Sequence, residues 1–307
     1  MKQQIDQPLR IGTDCSGIEA AIQSLRQLGV PHRHLFSSDI DKYCIKSINA
    51  NYNPEILYGD MTKRDQSTLP DIDLYVCGFP CQPFSQAGHR KGFKDNRGNV
   101  FFSCIDVIRT KQPKYFILEN VKGLLHHDKG NTWKVIWNEM EKLTELGYVV
   151  QWKVLNTRDY GIPQNRERVY MVGNLGKEFV WPKQTDMEPL ENFVDYTDTK
   201  QHILSGKYTG LIESSQVPSE SLFIDVSFAC LPKRKFNNSH KFTGCLNTKG
   251  GLYCVAMKRY ANSYELLKLQ GFPIDFVQVV SLTQLRKQIG NTMSVNVVKK
   301  VLECLLF

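Results

Sequence analysis

Leu74-Tyr75-Val76-Cys77-Gly78-Phe79-Pro80-Cys81-Gln82-Pro83-Phe84-Ser85 is the stretch on which the reading of this chain turns. Four apolar residues followed by Gly-Phe-Pro describe a short buried strand that stops abruptly. Pro80 and Pro83 bracket Cys81 and Gln82. Each proline fixes φ and lacks a backbone donor, so this turn is stiff and continues neither as helix nor as sheet. A thiol on a rigid loop at a strand end is placed for nucleophilic attack. The alternative is a cysteine packed at a tight turn.

On either side of this strand, short β-like runs alternate with longer helical ones. Upstream, Arg10–Thr13 and His34–Ser37 read as strands, Ile18–Leu28 and Asp41–Asn51 as helices, with Asp41 as a cap. Downstream, Phe101–Thr110 and Thr132–Leu146 read as helices. Tyr115–Leu118, Val149–Leu155 and Val169–Val172 read as strands. Such alternation implies βαβ units and a parallel, doubly wound α/β sheet. Sheets of this kind bind ligands at the carboxyl ends of their strands. Asp14 to Gly17, Asp39, Asp60, Cys81 and Glu119 fall there.

Trp181-Pro182 ends the alternation, and from there to Tyr260 the chain reads as a separate small domain of short strands and loops. Ser263–Leu269 and Ser294–Leu305 read as helices that rejoin the first domain. The expected division is therefore 1–180 with 261–307, and 181–260. Charge divides the small domain again. Between Pro182 and Pro232 there are three Lys and eight acids; between Lys233 and Arg259 there are seven Lys or Arg and no acid.

The whole chain of 307 residues carries a formal charge of +8, which suits a polyanionic partner. No run approaches the ~20 apolar residues of a membrane span, and Met1–Arg10 lacks the apolar core of a secretory signal. An intracellular, monomeric protein is expected. The nine cysteines are an odd number and include no Cys-x-x-Cys pair, which argues against a disulfide framework or zinc ribbon, and no metal is expected.

Two further stretches carry candidate chemistry. Leu118-Glu119-Asn120-Val121 puts a carboxyl at the end of a strand beside Cys81, where partial desolvation would fit it to donate a proton. A strand-end acid that caps its own turn is the plainer reading. Gln164-Asn165-Arg166-Glu167-Arg168 places two arginines on one face of an extended segment, suited to planar acceptors or phosphates. A solvated charge run is the plainer reading there.

Taken together, Gly78–Ser85, Glu119-Asn120-Val121 and Gln164–Arg168 resemble, in order, motifs of the cytosine-C5 DNA methyltransferase family. Leu269-Gln270-Gly271-Phe272-Pro273 and Gln288-Ile289-Gly290-Asn291-Thr292 resemble its last two motifs. The resemblance implies a Rossmann-like domain dependent on S-adenosyl-L-methionine, acting on double-stranded DNA. It implies that Cys81 attacks C6 of a flipped-out cytosine, that Glu119 holds N3 and the exocyclic amine, that Arg168 binds O2, and that Arg166 supports the pocket. The Phe79 carbonyl is expected to read the amine.

For the cofactor the resemblance implies the turn Cys15, Ser16, Gly17 and Ile18, then Asp39 for the ribose hydroxyls and Ile40 against the adenine. Asp60 and Met61, Pro80, and Asn291 with Thr292 complete the expected set. Here the chain departs from the family pattern: Cys15 stands where an aromatic residue is usual and Glu19 where a glycine is. Residues 85–99 resemble the mobile catalytic loop, with Gln82, Ser85 and Arg97 expected on DNA. The segment 181–260 occupies the target-recognition position. Its basic half, with Lys233, Arg234 and Lys235, is expected to face DNA. Two other functions stay open: a tRNA cytosine-C5 methyltransferase of the same family, and a catalytically silent DNA-binding protein on this fold.

Overall fold

The computed structural model describes residues 7–80, 100–202, 221–227, 241–249 and 251–307. Cys81, Gln82, Ser85, Arg97, Lys233, Arg234 and Lys235 lie outside them. Seven strands form the main sheet: β1 (Leu9–Asp14), β2 (His32–Ser38), β3 (Ile56–Tyr58), β4 (Leu74–Cys77), β5 (Tyr115–Val121), β6 (Tyr148–Asn156) and β7 (Glu167–Leu175), in the order β3-β2-β1-β4-β5-β7-β6. The first five run parallel. β7 runs antiparallel to β5, so the expected all-parallel sheet is a mostly parallel one.

The registers decide where chemistry can sit. Ser38 pairs with both Tyr58 and Asp14, Asp14 with Cys77, and Cys77 with Leu118. The carboxyl ends of β3, β2, β1 and β4 therefore stop in one row, and β5 runs past it from Glu119 to Val121. Burial explains why β4 and the first four residues of β5 are continuous apolar runs: every residue of Leu74–Cys77 and of Tyr115–Leu118 is buried. Gly12 is required by packing, because a Cβ there would overlap the Phe36 ring from the neighbouring strand. Gly173 on β7 stands in the same relation to Phe116.

Helices α1 (Ala20–Leu28), α2 (Lys42–Asn51), α3 (Val100–Lys111) and α4 (Asn131–Glu141) link the strands. Asp41 caps α2 as expected, its side chain accepting from the Tyr43 N–H. The expected helix to Leu146 stops at Glu141 and tightens into a 3-10 segment over Lys142–Leu146, which Gly147 ends in the left-handed region. Toward the carboxyl end are α5 (Ser263–Leu269), α6 (Leu282–Asn291) and α7 (Val295–Leu306). α6 adds to the two helices expected in this part of the chain. Its signal was present: Ser281 caps the Gln284 N–H, a Ser-x-x-Gln start ahead of the buried Leu285, Gln288 and Ile289.

Contacts divide the chain into two compact units: Met1–Leu155 with Glu167–Lys183 and Val297–Phe307, and Asn156–Arg166 with Gln184–Asn296. The second holds a small antiparallel sheet, β8 (Phe223–Asp225), β9 (Leu252–Cys254) and β10 (Arg259–Tyr260), ordered β10-β9-β8. This unit also takes in 156–166 and most of 261–307, which the sequence reading grouped with the first domain. Hydrogen bonding supplies the reason. The buried Gln164 side chain donates to the Leu269 carbonyl and to Gln270 Oε1, each at 2.8 Å, and accepts from the Leu246 N–H. Buried amides pair within one compact body, so these segments stay together.

Candidate active site

After β1 the chain turns sharply through Cys15 (φ 48°), Gly17 (φ 58°) and Glu19 (φ 62°), all in the left-handed region. Glycine occupies that region without cost, whereas cysteine and glutamate are strained there. The Gly17 N–H donates to Asp39 Oδ2 at 2.8 Å, tying the β1 turn to the end of β2. Asp39 also accepts from the Asp41 N–H. Burial pushes the Asp39 carboxyl up to about 6; these two hydrogen bonds offset only part of that effect. The next residue, Ile40, is 76% exposed, an unusual position for a large apolar side chain.

Beyond β3, Asp60 Oδ1 accepts from the Thr62 N–H and hydroxyl, and Met61 is buried. Ile18 is fully buried, so its side chain belongs to the core and only its backbone faces the turn. Under the turn lies an ion pair that the sequence reading missed. Asp14, 1% exposed, accepts from Arg64 at 2.8 and 3.1 Å and from the Tyr75 hydroxyl at 2.8 Å. The Arg64 guanidinium also lies over the Phe36 and Tyr58 rings, at 5.3 and 4.8 Å. An arginine fifty residues from its partner leaves no local pattern to read.

At the other end of the row, β4 leads through Gly78 and Phe79 to Pro80, the last described residue before Cys81. Phe79 is buried against Phe101, and its carbonyl accepts from Asn120 Nδ2 at 3.2 Å. Asn120 therefore joins the end of β4 to the end of β5, and its own Oδ1 accepts from the Val121 N–H. Glu119 is the first residue of β5 past the pairing with Cys77. Arg168 on β7 pairs with Val121, and its Nε stands 3.2 Å from Glu119 Oε1. The acid is thus one half of a nearly buried ion pair, a counter-charge absent from the sequence expectation.

Arg166 directly precedes β7 and falls in the second unit, whereas Arg168 lies on β7 in the first. It is 2% exposed, and its guanidinium donates to the carbonyls of Leu246, Gly290 and Thr292 at 3.0, 3.2 and 2.7 Å. Gln270 Nε2 donates to the same Thr292 carbonyl at 2.9 Å. Asn291 ends α6, and Thr292 is buried directly after it. Arg259, counted in the basic half of the small domain, is likewise structural. It is buried, and its guanidinium is bound to Glu265 and to the carbonyls of Asp195 and Asp198.

A mostly parallel sheet with an acid just past its second strand, and an ion-paired acid near the carboxyl end of its fifth, is the frame of a Rossmann-like fold. The profile of the family described as C-5 cytosine-specific DNA methylase matches residues 14–306. The type II methyltransferase M.HaeII of Haemophilus aegyptius is 39% identical over 276 residues, covering 88% of this chain and 84% of that protein. The type II methyltransferase M.NgoBI of Neisseria gonorrhoeae is 38% identical over 281 residues, covering 87% and 84%. The crystal structure of the S. pombe Dnmt2 methyltransferase superposes with a TM-score of 0.69 at 17% identity, covering 98% of each chain, a likeness of fold. The chain belongs to the C-5 cytosine-specific DNA methylase family and is a DNA (cytosine-5-)-methyltransferase. Family membership implies S-adenosyl-L-methionine as methyl donor. Among the described residues no helix is long and apolar enough to cross a membrane.

Proposed function

We propose that this chain methylates C5 of a flipped-out cytosine in double-stranded DNA through a covalent bond between Cys81 Sγ and C6. The observation that carries this reading is the order of groups along one row of strand ends: Asp60, Asp39, the Gly17 turn, Pro80 leading to Cys81, then Glu119 with Arg168. The residues present fit the cofactor. Asp39 is a half-buried acceptor for ribose hydroxyls, the exposed Ile40 offers an apolar face to the adenine, and the Gly17 turn lies alongside. When bound, S-adenosyl-L-methionine supplies an electrophilic methyl group on a sulfonium.

The chain's own residues do the rest. Cys81 as thiolate adds to C6, which makes C5 electron-rich enough to take the methyl group. Glu119 accepts from the exocyclic amine and delivers a proton to N3 as charge develops, and Arg168 steadies both Glu119 and the O2 of the ring. The Phe79 carbonyl, oriented by Asn120, has a second lone pair for the amine. Loss of the C5 proton then re-forms the ring double bond and expels Cys81 as thiolate. Arg166 acts as a positioning residue, holding the loop at Leu246 against the end of α6. Residues 181–260 serve as the target-recognition region, with Lys233, Arg234 and Lys235 on phosphates.

Methyl transfer to duplex DNA and to tRNA, each followed by bisulfite sequencing, tests the reading. Conversion-resistant cytosines at one recurring site in the duplex, and none in tRNA, are expected. Methylation of tRNA alone would overturn it.

A further inference from the structure

Glu19 is the least expected residue of the cofactor turn. It is 1% exposed, it holds the left-handed region where glycine is at ease, and it begins α1. Its Oε1 accepts from the Thr13 hydroxyl at 2.6 Å and from the Ser37 hydroxyl at 2.5 Å. Oε2 is buried and has no hydrogen-bond partner among the described residues. The fold thus carries two costs at one position, a strained backbone and a half-satisfied buried carboxylate, of the kind that collects at functional sites.

Nor is the charge matched. His34 Nε2 lies 3.4 Å from Oε1 and 2.8 Å from the Ser37 hydroxyl. Ser37 has one proton, which goes to Glu19, so it accepts the Nε2 proton of His34. His34 Nδ1 is buried without a partner, which suits a bare nitrogen and not a second buried N–H. Glu19 Oε2 and His34 Nδ1 are thus the two buried atoms of this network without a hydrogen-bond partner among the described residues. No Lys or Arg forms an ion pair with Glu19 among the described residues.

The strand ends say which charge this carboxylate meets. If Asp39 takes the ribose and the methyl must reach a base beside Cys81, the sulfonium lies between the end of β2 and the end of β4. β1 is the strand between them, and Glu19 belongs to its turn. The geometry points to Glu19 as a positioning residue that, from beneath the turn, favours the cationic sulfonium cofactor over its neutral thioether product. The inference rests on the proposed function. It gives the departure from glycine a purpose, since release of S-adenosylhomocysteine would be helped by the same charge that holds its precursor.

Calorimetric titration of S-adenosylmethionine and S-adenosylhomocysteine into the wild type and Glu19→Gln tests it. Glu19→Gly, which relieves the backbone, serves if the glutamine variant does not fold. At an effective dielectric constant near 20, loss of a unit charge about 12 Å from the sulfonium should weaken that cofactor by about tenfold. The thioether should bind as before, so the ratio of the two Kd values falls by the same factor. Equal weakening of both ligands, or no change in either, would overturn the inference. Failure of the wild type to bind either ligand would instead overturn the proposed function.

Discussion

Asp14 and Arg64 show how much of this site rests on single buried contacts. Their carboxylate and guanidinium are both almost fully buried, with Tyr75 as a third partner. Removing one member of such a pair leaves a bare charge in a poor solvent for it. Arg64→Ala should cost about 3–5 kcal/mol, read as a lowered midpoint in urea denaturation. Asp39 makes a different prediction, about pH. Its carboxyl titrates near 6, above its ordinary range, because burial favours the neutral acid. For folding, this stability is fully present below the unfolded pKa near 3.8 and is lost as pH rises through about 6. For the cofactor the sign reverses, since ribose hydroxyls donate to the charged form. Affinity for S-adenosylmethionine should therefore fall as pH drops below 6, approaching about tenfold per unit. Asp39→Asn should bind weakly at every pH, which calorimetry between pH 5 and 8 would show.

At the scale of elements, the sheet was the legible part. Strands such as Leu74–Cys77 announce themselves because both faces are buried and nothing polar interrupts them. The motif residues Glu119, Asn120 and Arg168 could be placed at strand ends for the same reason. What could not be read was pairing over distance. The antiparallel β7, the bond from Asn120 to the Phe79 carbonyl, and the Glu119–Arg168 pair depend on register, which no local pattern encodes. Gly173 belongs to this scale. Its missing Cβ lets the Phe116 ring lie against β7. Gly173→Ala should force that ring out of place and cost about 1–3 kcal/mol, seen as a lower Tm.

Over the whole molecule, the charge split between 182–232 and 233–259 was the guide to DNA, and it proves uneven as evidence. Arg259 is spent on Glu265, while Lys241 and Lys249 are exposed. Phosphate binding should therefore come from the lysines and from Lys233-Arg234-Lys235, not from every cation in the run. Neutralising 233–235 together should weaken DNA binding and reduce its salt slope by about 3, one for each lost phosphate contact. Cys81 remains the centre on which the chemistry depends. The most direct measurement is intact-protein mass spectrometry after incubation with a duplex carrying 5-fluorocytosine at the target site and with S-adenosylmethionine. Fluorine cannot leave as the C5 proton does, so the account predicts a protein–DNA adduct joined at Cys81 and absent from Cys81→Ser. Enzyme that methylates ordinary duplex DNA yet forms no such adduct would contradict it.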